Sequence, residues 1–110
     1  MAGRLDIDRG DIWTYEFPRL DKRRPVLVLS RPEAIAVLHT VMVAPITSTI
    51  RGLPSEVIGG TTEGLKHNSA VNLDHMRTIE QARVSRYIGR VGSEKMRAVC
   101  RAIAVATGCD

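Results

Sequence analysis

The sequence predicts a mainly β domain, a small and partly open β-barrel that ends in one α-helix. Three observations predict it. Short apolar stretches of strand length recur along the chain, each bounded by Pro, Gly or polar residues. A single stretch, Ser93 to Thr107, has helical periodicity. The chain has 110 residues, which is the size of one domain.

Residues 1–8 read as a loose tail, leaving one domain over 9–110. Arg9-Gly10-Asp11 opens the first strand, and its likeness to an integrin-binding triplet is taken as coincidence. Trp13, Tyr15 and Phe17 then alternate with Ile12, Thr14 and Glu16, the period of a half-buried strand with an aromatic face. Pro18 to Arg23 is a basic loop. Pro25 to Ser30 follows as a strand buried on both faces, since Val26-Leu27-Val28-Leu29 is apolar without interruption. Pro25 has no N–H and is expected at that strand's first position. Arg31 to Ala36 is a turn or one helical turn, and Val37 to Ile46 is a strand that contains His39.

Pro45-Ile46-Thr47-Ser48-Thr49 gives that strand a hydroxyl-rich end, and Arg51-Gly52-Leu53-Pro54 is a turn. Ser55–Ile58, Ser69–Leu73 and Tyr87–Val91 read as further short strands, with an irregular piece over Asp74–Ser85. In the helix, Ser93 is the expected N-cap and Gly108 stands just past the end. Met96, Val99, Cys100, Ile103 and Thr107 form its apolar stripe. Five to seven strands and one terminal helix make a partly open barrel.

Basic residues outnumber acidic ones by 16 to 12, for a net charge of +4. Thirteen of the 16 are Arg, and the three lysines are Lys22, Lys66 and Lys95. Arginine suits two-pronged contact with phosphate and stacking on bases, which favours a nucleic acid or phosphate partner. A coding bias towards Arg explains the ratio equally well. Cys100 and Cys109 do not have metal-ligand spacing, and neither do His39, His67 and His75. No metal or other cofactor is expected. No run approaches the ~20 apolar residues that span a bilayer, and the first ten residues lack a signal-peptide pattern. A cytoplasmic protein with no membrane partner is expected.

Several segments in order resemble one family: Arg9-Gly10-Asp11-Ile12-Trp13, Arg23-Arg24-Pro25-Val26-Leu27-Val28-Leu29-Ser30, Val43-Ala44-Pro45-Ile46-Thr47-Ser48, and Arg51-Gly52-Leu53-Pro54-Ser55-Glu56-Val57. Gly64-Leu65, Ser69-Ala70-Val71, Arg77-Thr78-Ile79 and Ile88-Gly89-Arg90-Val91 complete the set. Together, from Arg9 to about Gly108, they resemble the MazF/PemK toxin endoribonucleases of type II toxin–antitoxin systems. The resemblance implies an SH3-like barrel that forms a homodimer. It also implies metal-independent cutting of single-stranded RNA at a short motif, leaving 2′,3′-cyclic phosphate and 5′-hydroxyl ends. A cognate antitoxin is implied as inhibitor.

Carried over by position, the family's catalytic arginine matches Arg24 and its catalytic threonine matches Thr47, with Ser48 or Thr49 as possible substitutes. The loop before Arg24 matches one that moves over RNA. Apart from the resemblance, Phe17 and Trp13 are candidates to stack on a base, with core packing the favoured role for Trp13, and Arg19, Lys22, Arg23, Arg51 and Arg77 are candidates for phosphate contact, a solvated surface charge being the equal alternative for each. Ser48, Asp74, His75 and Thr78 stand beside them. Asp74-His75 replaces the Glu-Gln of many members, in a region that reads bases.

The chemistry fits in part. In-line attack by the 2′-hydroxyl needs a proton acceptor, charge stabilisation on the phosphoryl oxygens and a proton for the leaving 5′ oxygen. An Arg fork supplies the second. It is a poor base because it stays protonated. Thr47 has the same limit and is assigned a hydrogen bond to phosphate. The base stays unassigned. The rival reading is a CcdB-like gyrase-binding toxin on the same barrel. The Gly108-Cys109-Asp110 end does not resemble the apolar Trp-Ile tail of those toxins. A plain nucleic-acid-binding module would explain the charge but not the Arg-Pro and Ile-Thr-Ser motifs.

Overall fold

A computed structural model of the chain describes residues 3–17 and 22–109, with Phe17 and Lys22 described by their backbone alone. Seven strands and two helices follow in order: β1 (Asp11–Phe17), β2 (Lys22–Val28), α1 (Pro32–Val37), β3 (Thr40–Thr47), β4 (Glu56–Gly59), β5 (Ser69–Asn72), β6 (Arg77–Glu80), β7 (Val84–Arg90) and α2 (Ser93–Thr107). Single 3-10 turns occupy Thr61–Glu63, Leu73–His75 and Gln81–Arg83. The strands form one antiparallel sheet in the order β4-β5-β3-β2-β1-β7, while β6 pairs with β3 alone. The sheet does not close, as a partly open barrel requires. No helix among the described residues is long and apolar enough to cross a membrane.

The continuous apolar run of β2 is explained by cover on both faces. Leu27 and Leu29 pack with Ile12, Ala44, Ile46 and Leu73 under Val99 and Ala102 of α2. Val26 and Val28 pack on the other face with Trp13, Tyr15, Val41, Val43, Ile79 and Ile35 of α1. Each such side chain taken fully out of water contributes about 1.5–3 kcal/mol. Trp13 is a core residue: its Nε1 donates to Asp11 at 3.2 Å and its ring meets Tyr87 edge-on.

Five features correct the sequence reading around the core. The segment expected to be a loose tail is fastened from Gly3 onward. Gly3 N–H donates to Ala36, Arg4 N–H to Gln81 Oε1 at 2.7 Å, and Ile7 is buried in the second cluster. His39 is exposed between α1 and β3, not inside a strand. The irregular piece after Asp74 contains a strand, β6, whose single inward residue is Ile79. In α2 the N-cap is Gly92, with Ser93 one position inside. The buried line of α2 runs through Val99 and Ala102, and Cys100 is exposed.

The Arg9-Gly10-Asp11 triplet is a corner of the fold. Arg9 donates to the carbonyl of Leu29, and Gly10 takes φ +90°, a left-handed value that glycine adopts without strain. The buried Asp11 carboxylate accepts from Asp8 N–H, Trp13 Nε1–H and the Arg90 guanidinium.

One edge of β3 is shared by two strands, and this positions the site. Residues Thr40–Val43 pair with β6, whereas Ile46 and Thr47 pair with β5. Ala44 and Pro45 fall in the gap between them. Met42 turns both its carbonyl and its N–H towards the β2 side, where they meet Leu29 N–H and Ser30 Oγ at 2.8 Å each. Backbone groups alternate along a strand. The missing N–H of Pro45 therefore falls on the other edge, where pairing switches from β6 to β5.

Pro25 acts in the same way on the opposite side of β3. It is the fourth residue of β2, not the first as its lack of an N–H suggested. Leu29 N–H points at β3, so by alternation the vacancy at Pro25 also faces β3. The β2–β3 register stops one residue later, at Val26↔Pro45. A proline that removes a donor where the ladder ends costs no hydrogen bond.

Candidate active site

Continuing the β2–β3 register two residues beyond Val26↔Pro45 sets Arg24 opposite Thr47. Residues directly opposite share a face of the sheet. Arg77, opposite Val43, lies on that face too. The face is core where Val26, Val28, Val41, Val43 and Ile79 are covered. It turns polar where the two ladders part. There a cavity of about 310 Å³ opens, lined by Arg24, Pro45, Ile46, Thr47, Thr49, Arg51, Asn72, His75 and Arg77.

The lining contains three guanidinium groups and no carboxylate. No described carboxylate forms an ion pair with Arg24 or Arg51. Such a site attracts a phosphodiester, and a cleft with low-dielectric walls strengthens the attraction. Thr47 Oγ1 accepts from Thr49 N–H at 3.2 Å. That commits one lone pair to the backbone and leaves the hydroxyl proton available to the cavity.

Arg51 is carried by a turn that a single carboxylate holds. Glu56 Oε1 accepts from the N–H groups of Arg51, Gly52 and Leu53 at 3.1, 2.9 and 3.3 Å. Gly52 completes the turn at φ +74°.

Asn72 closes β5 and is buried. Its Oδ1 accepts from Asp74 N–H at 3.0 Å, and its Nδ2 lies 3.0 Å from His75 Nδ1. The sequence did not single it out. The signal was there in one form: an amide between apolar Val71 and Leu73, three residues before His75.

The structure sorts the anticipated residues. Arg24, Thr47, Arg51, His75 and Arg77 line one cavity. Arg23 points to the opposite face of β2, into a groove of about 500 Å³ that Lys66, Arg86 and Tyr87 also line. Thr78 pairs with Met42 on the face away from Arg77, and both are exposed. Ser48 is exposed and does not line the cavity, whereas its neighbour Thr49 does. Asp74 is exposed beside the cavity and is held by Ser55 Oγ, which donates to Oδ2 at 2.5 Å. Arg19 lies outside the described residues, as do the side chains of Phe17 and Lys22.

Known proteins match both chain and fold. The sequence model of the PemK-like, MazF-like toxins of type II toxin–antitoxin systems matches residues 8–107. The chain is 43% identical over 103 residues to a probable endoribonuclease MazF5 of Mycobacterium tuberculosis, covering 93% of this chain and 94% of that one. Its structure is similar to that of the M. tuberculosis toxin MazF-mt6, with a TM-score of 0.83 and 38% identity over 91% of this chain and 98% of the other. The same fold occurs in a mycobacterial endoribonuclease solved in complex with its cognate antitoxin, with a TM-score of 0.84 and 23% identity over 94% and 97% of the two chains. On its sequence, its forked barrel and these likenesses, the chain belongs to the PemK-like, MazF-like family of type II toxins.

Proposed function

We propose that this chain is an endoribonuclease toxin that cuts single-stranded RNA at a short sequence motif without a metal. The observation that carries the reading is the meeting of Arg24 and Thr47 at the mouth where the β2–β3 ladder ends, in a cationic cavity without a lining carboxylate. The names of the relatives above support RNA cutting over the gyrase-binding alternative.

The 2′-oxygen of the RNA attacks the adjacent phosphorus. The new O2′–P bond forms as the P–O5′ bond breaks; the 2′-hydroxyl gives its proton to solvent water and the departing O5′ takes one from solvent, giving a 2′,3′-cyclic phosphate and a 5′-hydroxyl. Arg24 offers its donor fork to the phosphoryl oxygens as charge builds on them. Thr47 donates its hydroxyl to the same phosphate. Arg51 and Arg77 hold neighbouring phosphates, which fixes the scissile bond for in-line attack. The active form is a homodimer, and a cognate antitoxin, like the one bound to the mycobacterial relative, inhibits it. An RNA substrate places the reaction in the cytoplasm.

The test is to incubate purified protein with a long RNA in EDTA and map the ends. Full activity with cyclic-phosphate ends is expected. RNA left intact under EDTA but cut when a divalent metal is added would overturn the metal-free reading. Arg24→Ala is expected to keep the fold and lose about 10²–10³ in cleavage rate. Near-normal cleavage by that variant would move the site elsewhere.

A further inference from the structure

We propose that Asn72 locks His75 as the tautomer that carries its proton on Nε2, making His75 a hydrogen-bond donor to the RNA and not the base of the reaction. The inference rests on the reading of the cavity as an RNA site.

The side-chain amide of Asn72 is buried. A backbone N–H, that of Asp74, lies 3.0 Å from one end of the amide. An N–H cannot face an NH₂ group at that distance, so this end is the carbonyl oxygen. The orientation of the amide is thereby settled by a group that cannot flip. The other end is the NH₂, and it lies 3.0 Å from His75 Nδ1. An amide NH₂ only donates. Nδ1 must therefore present its lone pair, and a neutral imidazole then carries its proton on Nε2.

The fold makes this contact unavoidable. Asn72 is fixed in the sheet by its pairing with Glu56. The 3-10 turn Leu73–His75 follows at once. Side chains three residues apart eclipse in a 3-10 turn, which brings residues 72 and 75 together.

The consequence is chemical. With Nδ1 occupied, His75 has no free lone pair with which to take the 2′ proton. Protonating Nδ1 would set two donors face to face and break the contact. What remains is an Nε2–H donor on a residue that lines the same cavity as Arg24, Thr47 and Arg51. Its partner is an acceptor atom of the RNA, a phosphate oxygen or a base carbonyl. Asn72 is a positioning residue in this scheme: it acts through His75.

The charged groups around His75 come from three elements. Arg24 faces it from β2, Arg51 from the turn before β4, and Arg77 from β6. Asp74 precedes it in the chain and is engaged by Ser55.

Two measurements test the lock. In the first, ¹⁵N-edited NMR of the folded protein at neutral pH reads the His75 ring nitrogens, assigned by their loss in His75→Gln. A protonated Nε2 and a bare Nδ1 are expected. A proton on Nδ1 would overturn the proposal, and no cleavage is needed to see it. The second is the kinetics of Asn72→Asp, which keeps an oxygen for Asp74 N–H but turns the other end into an acceptor. In the neutral ring Nδ1 then takes the proton and Nε2 loses it.

Cleavage by Asn72→Asp is expected to fall about 10- to 100-fold at neutral pH, the loss of one donor to a charged acceptor. His75→Gln, which keeps a donor, should stay within about fivefold of the wild type, whereas His75→Ala loses as much as Asn72→Asp. Unchanged cleavage by Asn72→Asp with a ring whose Nε2 is seen by NMR to be bare, or equal losses in His75→Gln and His75→Ala, would sink the donor role. A wild-type protein that cuts no RNA yet shows the Nε2–H ring would fault the function, not the lock.

Discussion

Replacing Gln81 by Ala should remove about 2–4 kcal/mol of folding stability from a residue outside the cavity. Gln81 is buried, and its Nε2 lies at hydrogen-bond distance from three carbonyls: Ile35 at 3.0 Å, Leu38 at 3.0 Å and Thr40 at 2.9 Å. Its Oε1 accepts from Arg4 N–H at 2.7 Å. One amide thus ties the N-terminal segment, the end of α1 and the start of β3 to the end of β6. Alanine leaves four backbone groups without that partner. The contact to Ile35 is wholly buried, and orphaning its carbonyl costs about 1–3 kcal/mol. The other three are half-buried and regain some water, at a few tenths to about 1 kcal/mol each. Out of a total stability of about 5–15 kcal/mol, this is a large share. It corresponds to a melting point lower by roughly 10–15 °C. Denaturant and thermal melts at one fixed protomer concentration measure it, since association would otherwise shift the result. Gln81→Glu should do worse than Ala at neutral pH, because it aims a carboxylate at three carbonyl oxygens. A loss below about 1 kcal/mol for Ala, or a Glu variant as stable as wild type, would refute the reasoning.

Two other perturbations follow from the geometry. Glu56→Ala frees the three N–H groups of the Arg51 turn, which are exposed and rehydrate. Steady-state cleavage should therefore show KM raised about tenfold with kcat nearly kept, since reordering one residue of backbone costs 1–2 kcal/mol. A fall in kcat alone would contradict this. The Arg4 guanidinium bonds to Asp6 and holds its carboxyl below the ordinary value of about 3.9. Because the folded-state value is the depressed one, this contribution is present above the unfolded value and is lost as pH falls through the folded one. Both partners face solvent, so the effect is small and salt weakens it. Melts of Asp6→Asn should lie slightly below wild type at pH 7 in low salt and coincide with it under strong acid. A gap that persists in acid would mean that the residue acts by packing.

Some of this was legible in the sequence because it depends on neighbours along the chain. The apolar run of β2 and the period of α2 announce burial directly. Cys100 misled because a stripe read from spacing alone does not say which flank of a helix meets the sheet, and here Ala102 takes the inner place. β6 escaped notice since Arg-Thr-Ile-Glu offers one inward residue, too few to display an alternation. The fastened N-terminal segment depends on Gln81, 77 residues away from Arg4, and no local pattern encodes that. For the site, the resemblance singled out Arg24 and Thr47, while the physical reason for their meeting lies in Pro25 and Pro45. Those prolines were visible, but their role needs the register, which only the fold supplies. Asn72 went unnoticed because its importance comes from what its amide is forced to face.

The fork at β3 separates two jobs that a single hairpin would have to share. β5 and β6 are each anchored to their own length of β3, by Ile46↔Val71 on one side and Val41↔Ile79 on the other. The four residues from Leu73 to Met76 hang between them like a span between two abutments. Leu73 is core and Met76 packs against it, but Asp74 and His75 are exposed, so exchange of those two side chains alters the rim of the cavity and spares the barrel. Asp74-His75, standing where many members of the family carry Glu-Gln, is a substitution that such a span can absorb.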